Sequence, residues 1–253
     1  MSFSVPAEAY DRFMGRYSGR LAPGFARFAG VEAGQRVLDV GCGPGALTTE
    51  LVRLLGPAAV SAVDPSEPFV EAARERNPEV RVERAPAERL PFSDGEFDAA
   101  LAQLVVHFMS DAVAGIGEMG RVTRADGFVA ACVWDHAGGR GPLGTFWEAV
   151  HAIDPEAPDE SHLAGAREGD LSRLFTEAGL HDVEETLLSV AVEHPTFEEW
   201  WEPFELGVGP AGGYTSRLDP ERREALREAC RARLPAPPFV LTAAAWAARG
   251  RRR

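Results

Sequence analysis

Short apolar runs alternate with stretches of helical spacing over the first half of the chain, and this alternation sets the expected fold. Residues 37–40 read as an apolar strand that runs into Gly41-Cys42-Gly43-Pro44-Gly45. Residues 46–55 follow as a helix with Leu47, Leu51, Leu54 and Leu55 on one face, stopped by Gly56-Pro57. Residues 58–63 predict a second strand, closing on Asp64. Ser66 is placed to cap the next helix, which turns Phe69, Val70 and Ala73 inward. Residues 80–83, 98–106 and 127–134 predict three further strands, with a helix over 111–122 between the last two. Strands alternating with helices imply a parallel sheet wrapped on both faces. Its crossovers are right-handed, and ligands bind outside the carboxyl ends of the strands, near the switch point. The glycine turn lies on that edge.

The flanks are patterned differently. Tyr10, Phe13, Met14 and Tyr17 recur at spacings of three and four, and Leu21, Phe25 and Phe28 continue the stripe. Such a helix either packs on the domain edge or covers the glycine turn. Beyond residue 135, helices are expected over 143–153 and 170–178, the second stopped at Gly179. Residues 181–193 alternate as a long strand, and 239–246 are a last strand candidate. An antiparallel pair built from these two is interrupted by residues 195–238, too long for a simple hairpin. The reading is a small helical insertion holding Trp200, Trp201, Phe204, Tyr214 and a charged helix over 220–233. The chain thus divides into an N-terminal helical lid (1–34), a core (35–195 and 239–253) and a candidate substrate cap (196–238).

Composition narrows the function classes. The 253 residues carry a formal net charge of −13, which disfavours broad contact with nucleic acid or anionic lipid. The basic tail Arg249-Gly250-Arg251-Arg252-Arg253 reads as a solvated end. Three scattered cysteines, Cys42, Cys132 and Cys230, without metal-ligand spacing suggest a reduced, cytoplasmic protein and no metal. The first residues lack the layout of a signal peptide, and no apolar run is long enough to span a bilayer. The expected state is a monomer or homodimer acting on a small molecule, with neither nucleic acid nor membrane as partner.

Three alternate glycines let the backbone turn sharply and approach a ligand closely. Gly41-Cys42-Gly43-Pro44-Gly45-Ala46 satisfies the dinucleotide fingerprint, so a nicotinamide-dependent oxidoreductase is one reading. Three features favour another. Asp39 before the turn repels a pyrophosphate but suits a cation. Pro44 removes an N–H that phosphate oxygens need. Asp64 can accept hydrogen bonds from ribose hydroxyls. One acid for an ammonium or sulfonium and one for a ribose describe S-adenosylmethionine better than NAD. Asp39 as a plain turn cap and Asp64 as a strand-end acid are the structural alternatives.

The run from Val37 to Gly45 resembles the first motif of class I S-adenosylmethionine-dependent methyltransferases. Ala87-Glu88-Arg89-Leu90-Pro91-Phe92 with Phe97-Asp98, and Glu118 with Arg121 through Phe128, resemble the ubiquinone-biosynthesis-like, type 11 branch. Tyr10 to Ser18 is similar to the lead-in helix of such enzymes. The resemblance implies a Rossmann-like, doubly wound α/β fold: a mostly parallel seven-stranded sheet with an antiparallel last strand and a small helical insertion before it. It implies S-adenosylmethionine as cofactor and S-adenosylhomocysteine as product. Gly41, Gly43 and Gly45 would face the methionine and ribose parts, Asp39 the amino group, and Asp64 the ribose. Pro65, Ser66, Ala87 and Glu88 would lie at the adenine, Gln103 and Leu104 on the methionine side, with Tyr10 and Tyr17 above. The family often has Gly-Asp where this chain has Ala85-Pro86, so an acidic adenine contact is missing there. Glu88 as a solvated charge and Gln103 as a satisfied core amide remain open.

A sulfonium carries an activated methyl group, so the protein's task is in-line positioning of an acceptor. A hydroxyl or acidic carbon needs a base, and His107, just past the fourth strand, is the first candidate. His136, past the fifth, is the second. Trp200, Trp201, Phe204 and Tyr214 form either an apolar substrate wall or the cement of the insertion. A fold that binds the cofactor without catalysis is the remaining alternative.

Overall fold

A computed structural model describes residues 10–253; residues 1–9 of the expected lid lie outside the described residues. Among the described residues seven strands form one sheet: β1 (Val37–Val40), β2 (Val60–Asp64), β3 (Arg81–Arg84), β4 (Phe97–Gln103), β5 (Thr123–Trp134), β6 (His181–His194) and β7 (Phe239–Arg251). Their order is β3-β2-β1-β4-β5-β7-β6. The first five pair in parallel, and β7 runs antiparallel to both neighbours, as in Val133 opposite Trp246. After β1 the chain builds outward through β2 and β3, then returns to place β4 on the other side of β1. The switch point therefore lies between β1 and β4, and a crevice opens there at the carboxyl ends.

Nine helices flank the sheet among the described residues: α1 (Arg16–Ala29), α2 (Ala46–Leu55), α3 (Glu67–Arg76), α4 (Ala112–Val122), α5 (Gly144–Ile153), α6 (Asp170–Glu177), α7 (Phe197–Trp201), α8 (Gly209–Arg217) and α9 (Pro220–Arg231). Leu21 and Phe25 of α1, Leu47 and Leu51 of α2, and Val70 and Ala73 of α3 fill one face. Ile116 and Met119 of α4 and Leu171, Leu174 and Phe175 of α6 fill the other. Asp111 caps α4 by accepting from the Ala114 N–H at 3.0 Å. Ser66 occupies the cap position of α3, but its side chain makes no cap hydrogen bond.

Several expectations are corrected. β4 ends at Gln103 rather than 106: Leu104 adopts φ 63°, which breaks the strand, and Val106–Phe108 form a 3₁₀ turn. β2 begins only at Val60, because Pro57–Ala59 curl into a 3₁₀ turn. β7 runs to Arg251, so the basic tail is not a solvated end. Within it Arg249 pairs with Glu184 at 3.0 Å, and Arg252 Nη1 donates to the Arg121 carbonyl at 2.7 Å. The N-terminal helix opens with a π turn, Asp11–Gly15, which takes up an extra residue and rotates the stripe. Phe13 thereby joins the insertion's core, while Tyr17 joins the sheet's.

Residues 195–238 carry α7, α8 and α9. Trp200, Trp201 and Phe204 are buried there with Phe146, Trp147 and Val150 of α5. The stack of Phe146 on Phe204, centroids 4.5 Å apart, fastens the insertion to the core.

Candidate active site

A cavity of about 480 Å³ opens at the switch point. It is lined by Asp39, Gly41, Cys42, Gly43 and Pro44 from the first turn, and by Asp64, Pro65, Ser66 and Phe69 from the second. Ala87 and Glu88 after β3, and Gln103, Leu104 and Val105 after β4, complete the wall, with Tyr10 and Ser18 above. The Tyr10 ring meets Phe69 with centroids 5.3 Å apart. Asp11 pairs with Arg76 of α3, and Arg12 pairs with Glu202 of the insertion at 3.0 Å, so the segment is tethered on both sides of the cavity.

The three glycines do three different jobs. A Cβ on Gly41 would lie 2.5 Å from both γ-carbons of Val105, so this glycine lets the β1 and β4 turns meet at the switch point. A Cβ on Gly43 would meet nothing within 4 Å, because that position opens into the cavity. A Cβ on Gly45 would lie 2.9 Å from Asn77 Nδ2, away from the cavity. Gly45 thus serves close packing at the start of α2, which corrects its expected place beside the ligand.

The turn's donors are already engaged. The Gly41 and Cys42 N–H groups donate to the Val63 carbonyl at 2.8 and 2.9 Å, and Gly45 N–H donates to the Cys42 carbonyl at 2.9 Å. Gly43 N–H donates to Asp64 Oδ2 at 2.9 Å, and Pro44 has none. A dinucleotide pyrophosphate would find none of these groups available.

Asp39 supplies the opposite chemistry. It is 1 % exposed; Thr48 Oγ1 donates to its Oδ2 at 2.6 Å, while its Oδ1 is buried without a partner. Burial pushes its pKa up to about 7; the Thr48 hydrogen bond opposes this, and nearby Asp64 reinforces it. A buried acceptor left bare costs about 1–3 kcal/mol, and a cationic donor restores it. Asp64 Oδ1 accepts from Ser66 N–H at 2.8 Å, and burial raises its pKa as well. Gln103 donates to the Ser18 carbonyl at 3.1 Å and keeps a buried, unpartnered Oε1. Glu88 Oε1 accepts from Ser110 N–H at 2.7 Å, so it also ties down the loop after β4. An unpaired carboxylate oxygen, an unpaired amide oxygen and an open glycine wall fit S-adenosylmethionine, whose ammonium and ribose hydroxyls are donors.

Tyr17 does not line this cavity. Its hydroxyl meets His194 Nε2 at 3.0 Å and its ring packs edge-on to Trp134. Sequence reasoning missed Thr48 and Ser18. Thr48 lies nine residues after Asp39, within the first turn of α2 beyond the glycines, and only the folded turn joins them.

A second, tighter cavity of about 40 Å³ shares Tyr10, Leu104 and Phe108 with the first. His107, His136 and Glu160 line it among apolar neighbours. The aromatic residues of the insertion expected as a substrate wall line neither of these two cavities. Trp200, Trp201 and Phe204 are at most 3 % exposed in the insertion's core, and Tyr214 faces Asp154 on the outer side. Val208 to Ala211, the start of α8, provide the insertion's face to this cavity instead. Among the described residues, no group of three or more His, Cys, Asp or Glu is arranged to hold a metal ion, and no helix is long and apolar enough to cross a membrane.

Comparison with known proteins agrees with this geometry. The model of a methyltransferase domain matches residues 38–131. A demethylmenaquinone methyltransferase of Beutenbergia cavernae is 38% identical over 98 residues, covering 39% of this chain and 40% of the relative. A malonyl-[acyl-carrier protein] O-methyltransferase of Halorhodospira halophila is 29% identical over 167 residues, covering 65% of this chain and 50% of the relative. The chain thus spans about half the length, or less, of these curated relatives. A solved Thermotoga maritima structure, titled an S-adenosylmethionine-dependent methyltransferase and possible histamine N-methyltransferase, superimposes with a TM-score of 0.55. It is 19% identical and covers 97% of this chain and 99% of that one. The domain match over residues 38–131, the sheet order and the cavity agree on a methyltransferase domain with the fold of the class I S-adenosylmethionine-dependent methyltransferases.

Proposed function

We propose that this chain transfers a methyl group from S-adenosylmethionine to a small-molecule acceptor by in-line displacement. One observation carries the reading: Asp39, with one buried oxygen left unpartnered, lines a cavity whose turn N–H groups, Gly41 to Gly45, are all engaged. That combination rejects phosphate and invites a cation. Asp39 Oδ1 would take the amino group, Asp64 the ribose hydroxyls, and Gln103 Oε1 a further donor. Pro65, Ser66, Ala87 and Glu88 would flank the adenine.

When bound, the cofactor supplies a methyl group already activated on a sulfonium. The protein's contribution is then alignment and exclusion of water, worth about 7–11 kcal/mol when geometry is well held. Tyr10 and the tethered segment behind it cover the cavity, and Leu104 forms the partition between the cofactor and acceptor sides. The φ of 63° at Leu104 is strained for a branched side chain, and strain of this kind concentrates where a site needs a fixed wall. Residues 10–34 of the lid and the 196–238 cap are read as the two margins of this partition.

The reading is tested by incubating the protein with S-adenosylmethionine and pooled small metabolites and searching by mass for products heavier by one methylene. Methylated products that disappear with Asp39→Asn support it. Cofactor binding with no methylated acceptor in any pool would instead favour a non-catalytic binding protein.

A further inference from the structure

The second cavity holds an anomaly that the cofactor does not relieve. His107 is 9 % exposed and its Nδ1 is buried with no hydrogen-bond partner; His136 Nε2 is likewise buried and bare. Their rings meet edge to face with centroids 5.8 Å apart. Burial holds His107 neutral, and it lowers His136 to about 4. A buried imidazole nitrogen without a partner costs about 1–3 kcal/mol, and this chain carries two of them on one small cavity.

The lining restricts what can relieve them. Phe13, Met14, Leu104, Trp134, Leu143 and Val208 make the walls apolar. Among the described residues no Arg or Lys lines the cavity, so a phosphate or carboxylate finds no countercharge from them. The single carboxyl, Glu160, accepts the Trp147 indole N–H and is pushed by burial up to about 7. Unlike Asp39, it leaves no buried oxygen without a partner, so the unmet need in this lining lies at the imidazoles and not at a carboxylate awaiting an ammonium. Two neutral imidazoles can each present a donor or an acceptor, by tautomer. A hydroxyl, which both donates and accepts, can engage one of each. An oxygen hydrogen-bonded to both nitrogens would hold them roughly 5 Å apart, a separation within reach of rings whose centroids lie 5.8 Å apart.

We propose that this cavity seats the polar end of the methyl acceptor and selects a neutral one: its volume of about 40 Å³ takes one hydroxyl, held between His107 and His136, while the acceptor's apolar body extends past Leu104 and Phe108 toward the larger cavity. The proposal rests on the methyltransferase reading for its name as an acceptor site, but the site's chemistry stands on its own residues.

The test uses four matched probes with the full chain in the presence of S-adenosylhomocysteine: phenol, anisole, benzylamine and benzoate. Binding is read by ligand-observed NMR saturation transfer. Phenol is expected to bind at least about tenfold better than anisole, which lacks the O–H, and better than either charged probe. His107→Gln and His136→Asn are expected to reduce the phenol-to-anisole ratio to below about threefold. Their S-adenosylhomocysteine affinity, read separately by calorimetry, reports whether they fold. Equal binding of phenol and anisole overturns the proposal, as does preference for benzylamine or benzoate, or binding of none of the four. A wild-type protein that fails to bind S-adenosylhomocysteine defeats the cofactor reading instead, whatever the probes do.

Discussion

Thr48 Oγ1 donates to Asp39 Oδ2 at 2.6 Å and leaves Oδ1 of the same carboxylate buried and bare. The hydroxyl fixes the carboxylate's orientation without neutralising it. Asp39→Asn keeps a Thr48 contact but removes the charge. Affinity for S-adenosylmethionine should fall by at least about tenfold, measured by calorimetry. Thr48→Val should fall by a smaller factor, because the charge survives while its orientation is released.

The same carboxylate makes cofactor affinity depend on pH. Its pKa is pushed up to about 7 in the free protein, mainly by burial. A bound ammonium favours the ionised form, so the pKa drops on binding and a proton is released. Affinity should rise as pH increases through about 7 and level off above it. Titrations in buffers of different ionisation enthalpy should show proton release near neutrality; release that is absent, or proton uptake, would contradict the assignment of Asp39.

Stability of the free protein should move the other way. A folded-state pKa above the unfolded value contributes stability that is complete below the unfolded value near 4. That stability is lost as pH rises through about 7. The loss is on the order of 4 kcal/mol at most. Asp39→Asn escapes it, so at about pH 8 the variant should melt higher than wild type while binding cofactor less well.

The glycines separate packing from binding. Gly41→Ala places a methyl 2.5 Å from two Val105 carbons at φ 69°, so it should cost roughly 2–4 kcal/mol of stability by denaturant unfolding. Gly43→Ala adds its methyl to open space, so its cost should be limited to about 1 kcal/mol of backbone strain. Its larger effect should be on cofactor affinity. Equal affinity for Gly43→Ala and wild type would remove this wall from the site.

Much of the fold was legible because each signal was local. The apolar run 37–40, the helix over 46–55 and the Gly56-Pro57 stop all occur where the pattern puts them. The antiparallel last pair was read from the alternation of 181–193, a strand candidate at 239–246 and the resemblance together. What failed depended on tertiary context. Strand β4 stops at Leu104 because that residue turns to φ 63° to wall two cavities, and no residue type announces this. The π turn before α1 breaks the helical period from Tyr10 to Tyr17, so a stripe read at constant period misplaces Tyr17. Aromatic side chains in the insertion were visible, but only packing tells a wall from a core: Trp201 is 2 % exposed. Glu118 and Arg121, which carried part of the resemblance, pair at 2.7 Å, and Arg121 also donates to the Phe92 carbonyl at 2.9 Å. They brace the loop before β4. Arg121→Ala should therefore cost about 1–3 kcal/mol of stability, by thermal unfolding, with cofactor affinity little changed.

The most direct measurement is a calorimetric titration of the protein with S-adenosylhomocysteine and, separately, with NAD, repeated with Asp64→Ala. Asp64 joins the two turns through the N–H groups of Gly43 and Ser66, and would hold the ribose. Micromolar binding of S-adenosylhomocysteine is predicted, with no heat from NAD and a loss of about 30-fold or more in the variant. Binding of NAD in place of S-adenosylhomocysteine, or an unchanged affinity in a folded Asp64→Ala protein, would contradict the account.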